Sequence, residues 1–139
     1  MHGVSGVGKP ETIKLVQSLF TDVLHWNIGI NYQIAALQAV MAEQLGGDTL
    51  HHSCGICIGK LRSEGAHSQA TKRQTEVANA VLQWRWLITD EISMISSQLL
   101  AEIDMALRNI VRSNASGKLS AVGDVRPFGG INVLFVGDF

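Results

Sequence analysis

The chain has 139 residues, 46% hydrophobic and 17% charged, a balance that suits one packed domain and excludes a disordered segment. Its formal net charge of −1 excludes a globally basic nucleic-acid binder, so any DNA contact has to be local. No apolar run approaches the roughly eighteen residues of a membrane span, no secretory signal opens the chain, and Cys54 and Cys57 are too few for a disulfide framework; an intracellular chain is expected.

The chain begins with a glycine-rich loop, Gly3-Val4-Ser5-Gly6-Val7-Gly8-Lys9. From Glu11 to Val23, residues Ile13, Val16, Leu19, Phe20 and Val23 then recur at helical spacing. Gly3-x-x-x-x-Gly8-Lys9 matches most of a phosphate-binding loop, in which backbone N–H groups wrap phosphate oxygens and the following helix adds its positive dipole end. Lys9 would reach the β and γ phosphates. The pattern then requires Ser or Thr to hold Mg²⁺, and this chain has Pro10. Proline is compatible with the first helical turn, so the loop-to-helix shape is expected to survive while the metal ligand is lost. Thr12 points to a different side of the helix and is a poor substitute. Phosphate binding with weak or absent hydrolysis is expected; the bland alternative is an ordinary turn before a helix.

Ile28 to Leu37 reads as a short buried strand, and Ala39 to Leu45 as a helix ended by Gly46-Gly47. Thr49 is placed to cap a short helix through His52. His51, His52, Cys54 and Cys57 invite a zinc reading, but adjacent histidines rarely converge on one ion, so a short helix with buried cysteines is favoured. Gly55 to Gln69 reads as an exposed loop and Ala70 to Gln83 as a helix. Lys60, Arg62, Lys72 and Arg73 lie around that loop, either touching DNA phosphates or forming a solvated face. Trp26, Trp84 and Trp86 offer rings for base stacking, but Trp84 and Trp86 flank a strand at alternate positions and read better as core or sheet-face packing.

Arg85 to Asp90 is that strand, running straight into acid as a buried parallel strand does where it reaches a site. In Leu87-Ile88-Thr89-Asp90-Glu91, Asp90 suits Mg²⁺ held through water, and Glu91 suits orienting and deprotonating a water that attacks the γ-phosphate. An acidic helix start is the alternative; the phosphate loop and the acid pair occurring together favour nucleotide chemistry. Ser96 caps a helix from Ser97 to about Ser113 with one apolar stripe, Asn114 to Pro127 reads as a surface loop, and Ile131 to Val136 as a final strand. The alternation predicts an α/β fold, a parallel sheet with helices on both faces. Both ends read as cut: only Met1 and His2 precede the loop, and the chain stops at Gly137-Asp138-Phe139 just after a strand.

These motifs together resemble the Pif-type family of 5′-to-3′ DNA helicases of superfamily one, including Helitron helicase domains. The phosphate loop through Lys9 looks like that family's first motif. Ala35-Ala36-Leu37-Gln38-Ala39-Val40-Met41-Ala42 with Gly47-Asp48-Thr49-Leu50-His51 looks like its single-strand-contacting segment. Asp90-Glu91-Ile92-Ser93-Met94 is similar to its Asp-Glu motif, and the run from Pro127 to Phe139 to its third motif. The resemblance implies a RecA-like P-loop NTPase fold, with residues 1–139 forming part of the N-terminal motor domain. It implies ATP and Mg²⁺ as cofactors and Lys9, Asp90 and Glu91 as catalytic residues. Gly3, Val4, Ser5, Gly6, Val7, Gly8, Lys9, Pro10 and Asp138 would meet the nucleotide, Asp138 linking that site to the DNA track. Single-stranded DNA and duplex junctions are the implied partners of a monomeric motor whose second domain lies outside this chain. Repair, recombination and telomere maintenance are the implied roles, in the nucleus or alternatively the mitochondrion. A remnant that binds nucleotide or DNA without turnover is the competing expectation, and a small P-loop kinase is disfavoured for want of a lid.

Overall fold

The computed structural model describes residues 8–56, 67–113, 120 and 122–138. Helix α1 (Lys9–Ser18) runs on through a wider π turn at Leu19–Val23, followed by strand β1 (Tyr32–Ala36), helix α2 (Ala39–Gln44), the two-residue strand β2 (Asp48–Thr49) and the short helix α3 (Leu50–Ser53). Helix α4 (His67–Gln83), strand β3 (Trp86–Thr89), a 3₁₀ turn at Ile92–Met94, helix α5 (Ser97–Ser113), a second tight turn at Pro127–Gly130 and strand β4 (Asn132–Phe135) complete the order.

The strands form one sheet in the order β2-β1-β3-β4, with every pairing parallel. Tyr32 faces Trp86 and Ala35 faces Thr89, while Trp86 faces Asn132 and Thr89 faces Phe135, so three strands finish level with one another. Whatever follows them in sequence therefore gathers at one edge, where ligands of parallel sheets are usually held.

Side chains alternate across the strands and build two cores. On one face Tyr32, Ile34, Ile88 and Val136 meet Ile13 of α1, Phe20 of the π turn and Leu45. The Phe20 ring lies 5.1 Å from Tyr32 and 5.9 Å from Trp86. On the other face Ala35, Leu87 and Ile131 meet Leu50, Cys54, Val81, Trp84, Ile103 and Leu107. Each large buried side chain contributes about 1.5–3 kcal/mol of apolar transfer, which is why helices settle on both faces. This is the α/β architecture that the alternation of patterns predicts.

Several boundaries differ from expectation. The predicted strand from Ile28 shortens to start at Tyr32 because Asn27–Asn31 closes a turn: the Asn31 N–H donates to the Asn27 carbonyl at 2.9 Å, and the Asn31 side chain accepts from the Asn27 N–H at 3.0 Å. Ile28 keeps only an isolated bridge to Tyr32. Strand β2 is too short and polar to be predicted. Helix α4 takes in His67 to Gln69 from the predicted loop, while residues 57–66 and most of 114–121 lie outside the described residues. Both predicted caps are present, Thr49 accepting from the His52 N–H at 3.2 Å and Ser96 from the Leu99 N–H at 3.1 Å. Among the described residues no helix is long and apolar enough to cross a membrane.

The turn before β4 is clamped to α5. Asp104 accepts from the Phe128 N–H at 2.6 Å and from Arg108 Nε at 2.9 Å. A Cβ on Gly129 would stand 2.7 Å from Val111 Cγ2 and 2.9 Å from the Leu107 carbonyl oxygen, so only glycine lets the turn lie this close. Burial pushes the Asp104 carboxyl up, but the hydrogen bonds from Arg108 and Phe128 and the Arg108 charge together outweigh it and hold it below its ordinary value. A depressed folded-state pKa gives stability that is present above the unfolded pKa and disappears as pH falls through the folded one. Urea unfolding is expected to show wild type above Asp104→Asn by about 1 kcal/mol at neutral pH, allowing for solvent screening, with the gap closing in acid. A gap constant across that acid range would contradict this assignment.

Candidate functional site

Lys9 is set by the start of α1. Gly8 takes the left-handed conformation (φ 78°), Lys9 opens the helix and Pro10 falls within its first turn. The Thr12 N–H donates to the Gly8 carbonyl at 3.0 Å, so the loop-to-helix junction keeps its shape with proline present, where a missing N–H costs nothing. The Thr12 hydroxyl donates to that same carbonyl at 3.1 Å and is used within the helix. Gly3, Val4, Ser5, Gly6 and Val7 lie outside the described residues.

Asp90 follows β3 directly. Its N–H donates to the Ala35 carbonyl at 3.0 Å, which pins the backbone to the end of β1, and its side chain accepts from the Glu91 N–H at 2.9 Å. Only 2% exposed, Asp90 looks onto a cleft of about 70 Å³ that it shares with Pro10, Lys14, Met41, Gln44 and Leu45. Glu91 sits in the left-handed region at φ 52°, ψ 49°, a conformation that costs a non-glycine residue on the order of 1–3 kcal/mol unless its surroundings enforce it. They do: the Ile92 N–H donates to the Val136 carbonyl at 3.0 Å, and the Val136 N–H to the Thr89 carbonyl at 2.9 Å. Gly137 then lies so near that a Cβ there would stand 2.7 Å from the Ile92 nitrogen.

The Lys9 ammonium forms an ion pair with Asp138, from the far end of the chain. Its pKa is raised first by that hydrogen bond; burial opposes the rise, and the charges of Asp138, Glu91 and Asp90 add to it. Lys9, Pro10, Asp90, Glu91 and Asp138 thus gather at one end of the sheet, as the sequence motifs require. A magnesium ion would find here the carboxylate of Asp90 but no side-chain oxygen from Pro10. Among the described residues no group of three or more His, Cys, Asp or Glu side chains could hold a metal. Asp90, directly after β3, is the residue that would hold such an ion.

Several of the other nominated residues pack within the fold. Cys54 is buried in the core, and burial pushes its thiol up to about 12, while His52 pairs through Nδ1 with Asp48 on the surface, so the two side chains diverge. Cys57, Lys60 and Arg62 lie outside the described residues, and Lys72 and Arg73 are exposed. Trp84 is buried, donating to the Gly29 carbonyl at 3.1 Å; Trp86 packs on Phe20; the Arg85 guanidinium lies 5.4 Å from the centre of the Trp26 ring. Sequence reading missed the contact between Lys9 and Asp138, the cleft-lining Lys14 and Gln44, and the packing of Gly137. A glycine-aspartate pair directly after an apolar strand was the available signal for the first and last of these.

The sequence model of the PIF1-like helicases matches residues 1–139. The chain belongs to the PIF1-like helicase family. It is 27% identical over 146 residues to the ATP-dependent DNA helicase PIF1 of Saccharomyces cerevisiae, covering 99% of this chain and 14% of that protein. To human ATP-dependent DNA helicase PIF1 it is 31% identical over 104 residues, covering 75% of this chain and 14% of that protein. The crystal structure of Candida albicans Pif1 superposes with a TM-score of 0.70 at 29% identity, covering 99% of this chain and 28% of that one. Bacteroides Pif1 bound to single-stranded DNA gives 0.66 at 28% identity, covering 99% and 27%. Bacteroides Pif1 in complex with ADP-AlF4 gives 0.63 at 30% identity with the same coverage. This PIF1-like chain therefore spans about a seventh of its curated relatives and about a quarter of the solved ones.

Two outcomes follow from the geometry. Replacing Gly137→Ala forces the end of β4 off the Glu91–Ile92 peptide and is expected to lower stability by about 1–3 kcal/mol, measured by urea unfolding. A loss within about 0.5 kcal/mol, ordinary for surface positions, would show that the close approach carries no constraint. Iodoacetamide at mildly alkaline pH is expected to leave Cys54 unmodified in the folded chain and to alkylate it after denaturation, read by peptide mass spectrometry.

Proposed function

We propose that this chain is part of the first motor domain of an ATP-dependent DNA helicase, in which ATP hydrolysis drives movement on single-stranded DNA and unwinding of duplexes. The meeting of the Lys9 ammonium with Asp90 and Glu91 at the strand ends carries this reading. Family membership supports it, as do the relatives named as ATP-dependent DNA helicases and the similar structures holding single-stranded DNA or ADP-AlF4. Lys9 neutralises phosphate charge as the γ-phosphoryl departs, and Glu91 orients the attacking water and takes its proton. Magnesium, when bound, neutralises phosphate oxygens; Asp90 is the residue that would hold it, through water. The motif from Gly3 to Pro10 would meet the phosphates, as the family resemblance implies, and Asp138 would connect that site to the DNA side.

The second motor domain, supplied by a longer chain, would complete a monomeric machine acting at single-strand and duplex junctions. Repair, recombination and telomere maintenance are the proposed settings, in the nucleus, with the mitochondrion as the alternative compartment; the family resemblance supports these. A second reading, a remnant that binds nucleotide or DNA without turnover, is favoured by Pro10, which offers no metal-holding hydroxyl.

Phosphate release by a full-length chain, with and without single-stranded DNA, tests the motor reading. DNA-stimulated turnover that falls by about 100-fold or more in Lys9→Ala is expected, the scale for losing a preorganised charge at the transition state. No stimulated release from wild type rejects the motor for the natural sequence. Pro10→Ser then separates the causes: recovered turnover assigns the loss to Pro10, and continued silence assigns it to wider decay.

A further inference from the structure

The ammonium that should receive phosphate already has an anion. Lys9 pairs with Asp138 across 129 positions of sequence, and the two side chains are unequally sheltered, 9% exposed for Lys9 against 44% for Asp138. Asp90 and Glu91 add their field to the same ammonium. The nearby cation Lys14 is bonded to Glu11 at 3.1 Å. Among the described residues, a phosphate entering this corner meets more carboxylates than ammonium groups, and Pro10 supplies no hydroxyl to help a divalent cation offset them.

We propose that Asp138 is the resident counter-anion of Lys9, and that nucleotide binding exchanges its carboxylate for a phosphate oxygen on the Lys9 ammonium. This deepens the nucleotide reading and rests on it. An ammonium has three donors and could in principle serve both anions, but a carboxylate and a phosphate sharing one cation repel each other at contact distance. The carboxylate is the partner that leaves. It is the more exposed of the two, so it regains water at small cost, whereas Lys9 is held by the first turn of α1. Asp138 therefore sets affinity by competing for the phosphate-binding cation, as a positioning residue rather than a group that touches phosphate. The exchange releases a carboxylate one residue beyond Gly137, which is packed against the Glu91–Ile92 peptide.

A double-mutant cycle read by fluorescence titration of mant-ADP tests this on the full-length chain in magnesium buffer, using wild type, Asp138→Asn, Lys9→Ala and the double variant, each checked for an unchanged thermal melt. Asp138→Ser serves as a second substitution should the amide itself bind phosphate. Asp138→Asn is expected to tighten mant-ADP binding by about tenfold or more, the scale of a charge-assisted hydrogen bond given back to the lysine. In the Lys9→Ala background the same change is expected to move affinity by less than about threefold, because only screened repulsion remains. Unchanged or weaker binding by Asp138→Asn overturns the exchange while leaving the nucleotide reading intact. An equal gain in both backgrounds also overturns it, making Asp138 a plain repulsive charge. Failure of all four proteins to bind mant-ADP overturns the nucleotide reading itself, and the exchange with it.

Discussion

One ammonium, that of Lys9, stands against carboxylates delivered by the ends of two neighbouring strands, Asp90 and Glu91 after β3 and Asp138 after β4. Those carboxylates would repel one another, and the buried Asp90 would be costly, without a cation among them. The parallel register makes the meeting possible, because Ala35, Thr89 and Phe135 lie level and the residues beyond them converge. The helix start at Gly8 and Lys9 then has only to aim one side chain across that edge.

The acid pair is held differently from the lysine. Asp90 is fixed through its backbone to β1, and Glu91 is forced into a conformation that an isolated residue avoids, enforced by the Ile92 hydrogen bond to Val136 and by the close lie of Gly137. Strain at Glu91 is thus balanced by the pairing of β3 with β4 and the hydrogen bonds just beyond it. The clamp of Asp104 on Phe128 extends the same logic outward: α5 holds the turn, the turn launches β4, and β4 positions Gly137 and Asp138.

Most of the architecture was legible from pattern. The helical spacing of Ile13, Phe20, Ile103 and Leu107, the apolar run of Trp86 to Thr89, and the caps at Thr49 and Ser96 all reflect local forces that short stretches of sequence record. Strand β2 was not legible, since two polar residues pair only because β1 is already there. The resemblance put Lys9 and Asp138 at one nucleotide site, but their direct ion pair was hidden, since nothing within either segment encodes a partner 129 residues away. Pro10 illustrates the reverse case, in which a single residue foretold both what persists, the helix start, and what is lost, the hydroxyl. The glycine-rich residues before Gly8 fall outside the described residues.

The all-parallel sheet carries a kinetic consequence. No two neighbouring strands can be joined by a tight hairpin, and the register of β3 with β4 places Trp86 opposite Asn132, so each pairing must close a long stretch of chain before any hydrogen bond repays the lost entropy. The corner where Lys9 meets Asp138 encloses those smaller closures. Closing 129 positions costs more chain entropy than the strand pairings it encloses, so this corner is expected to form after them.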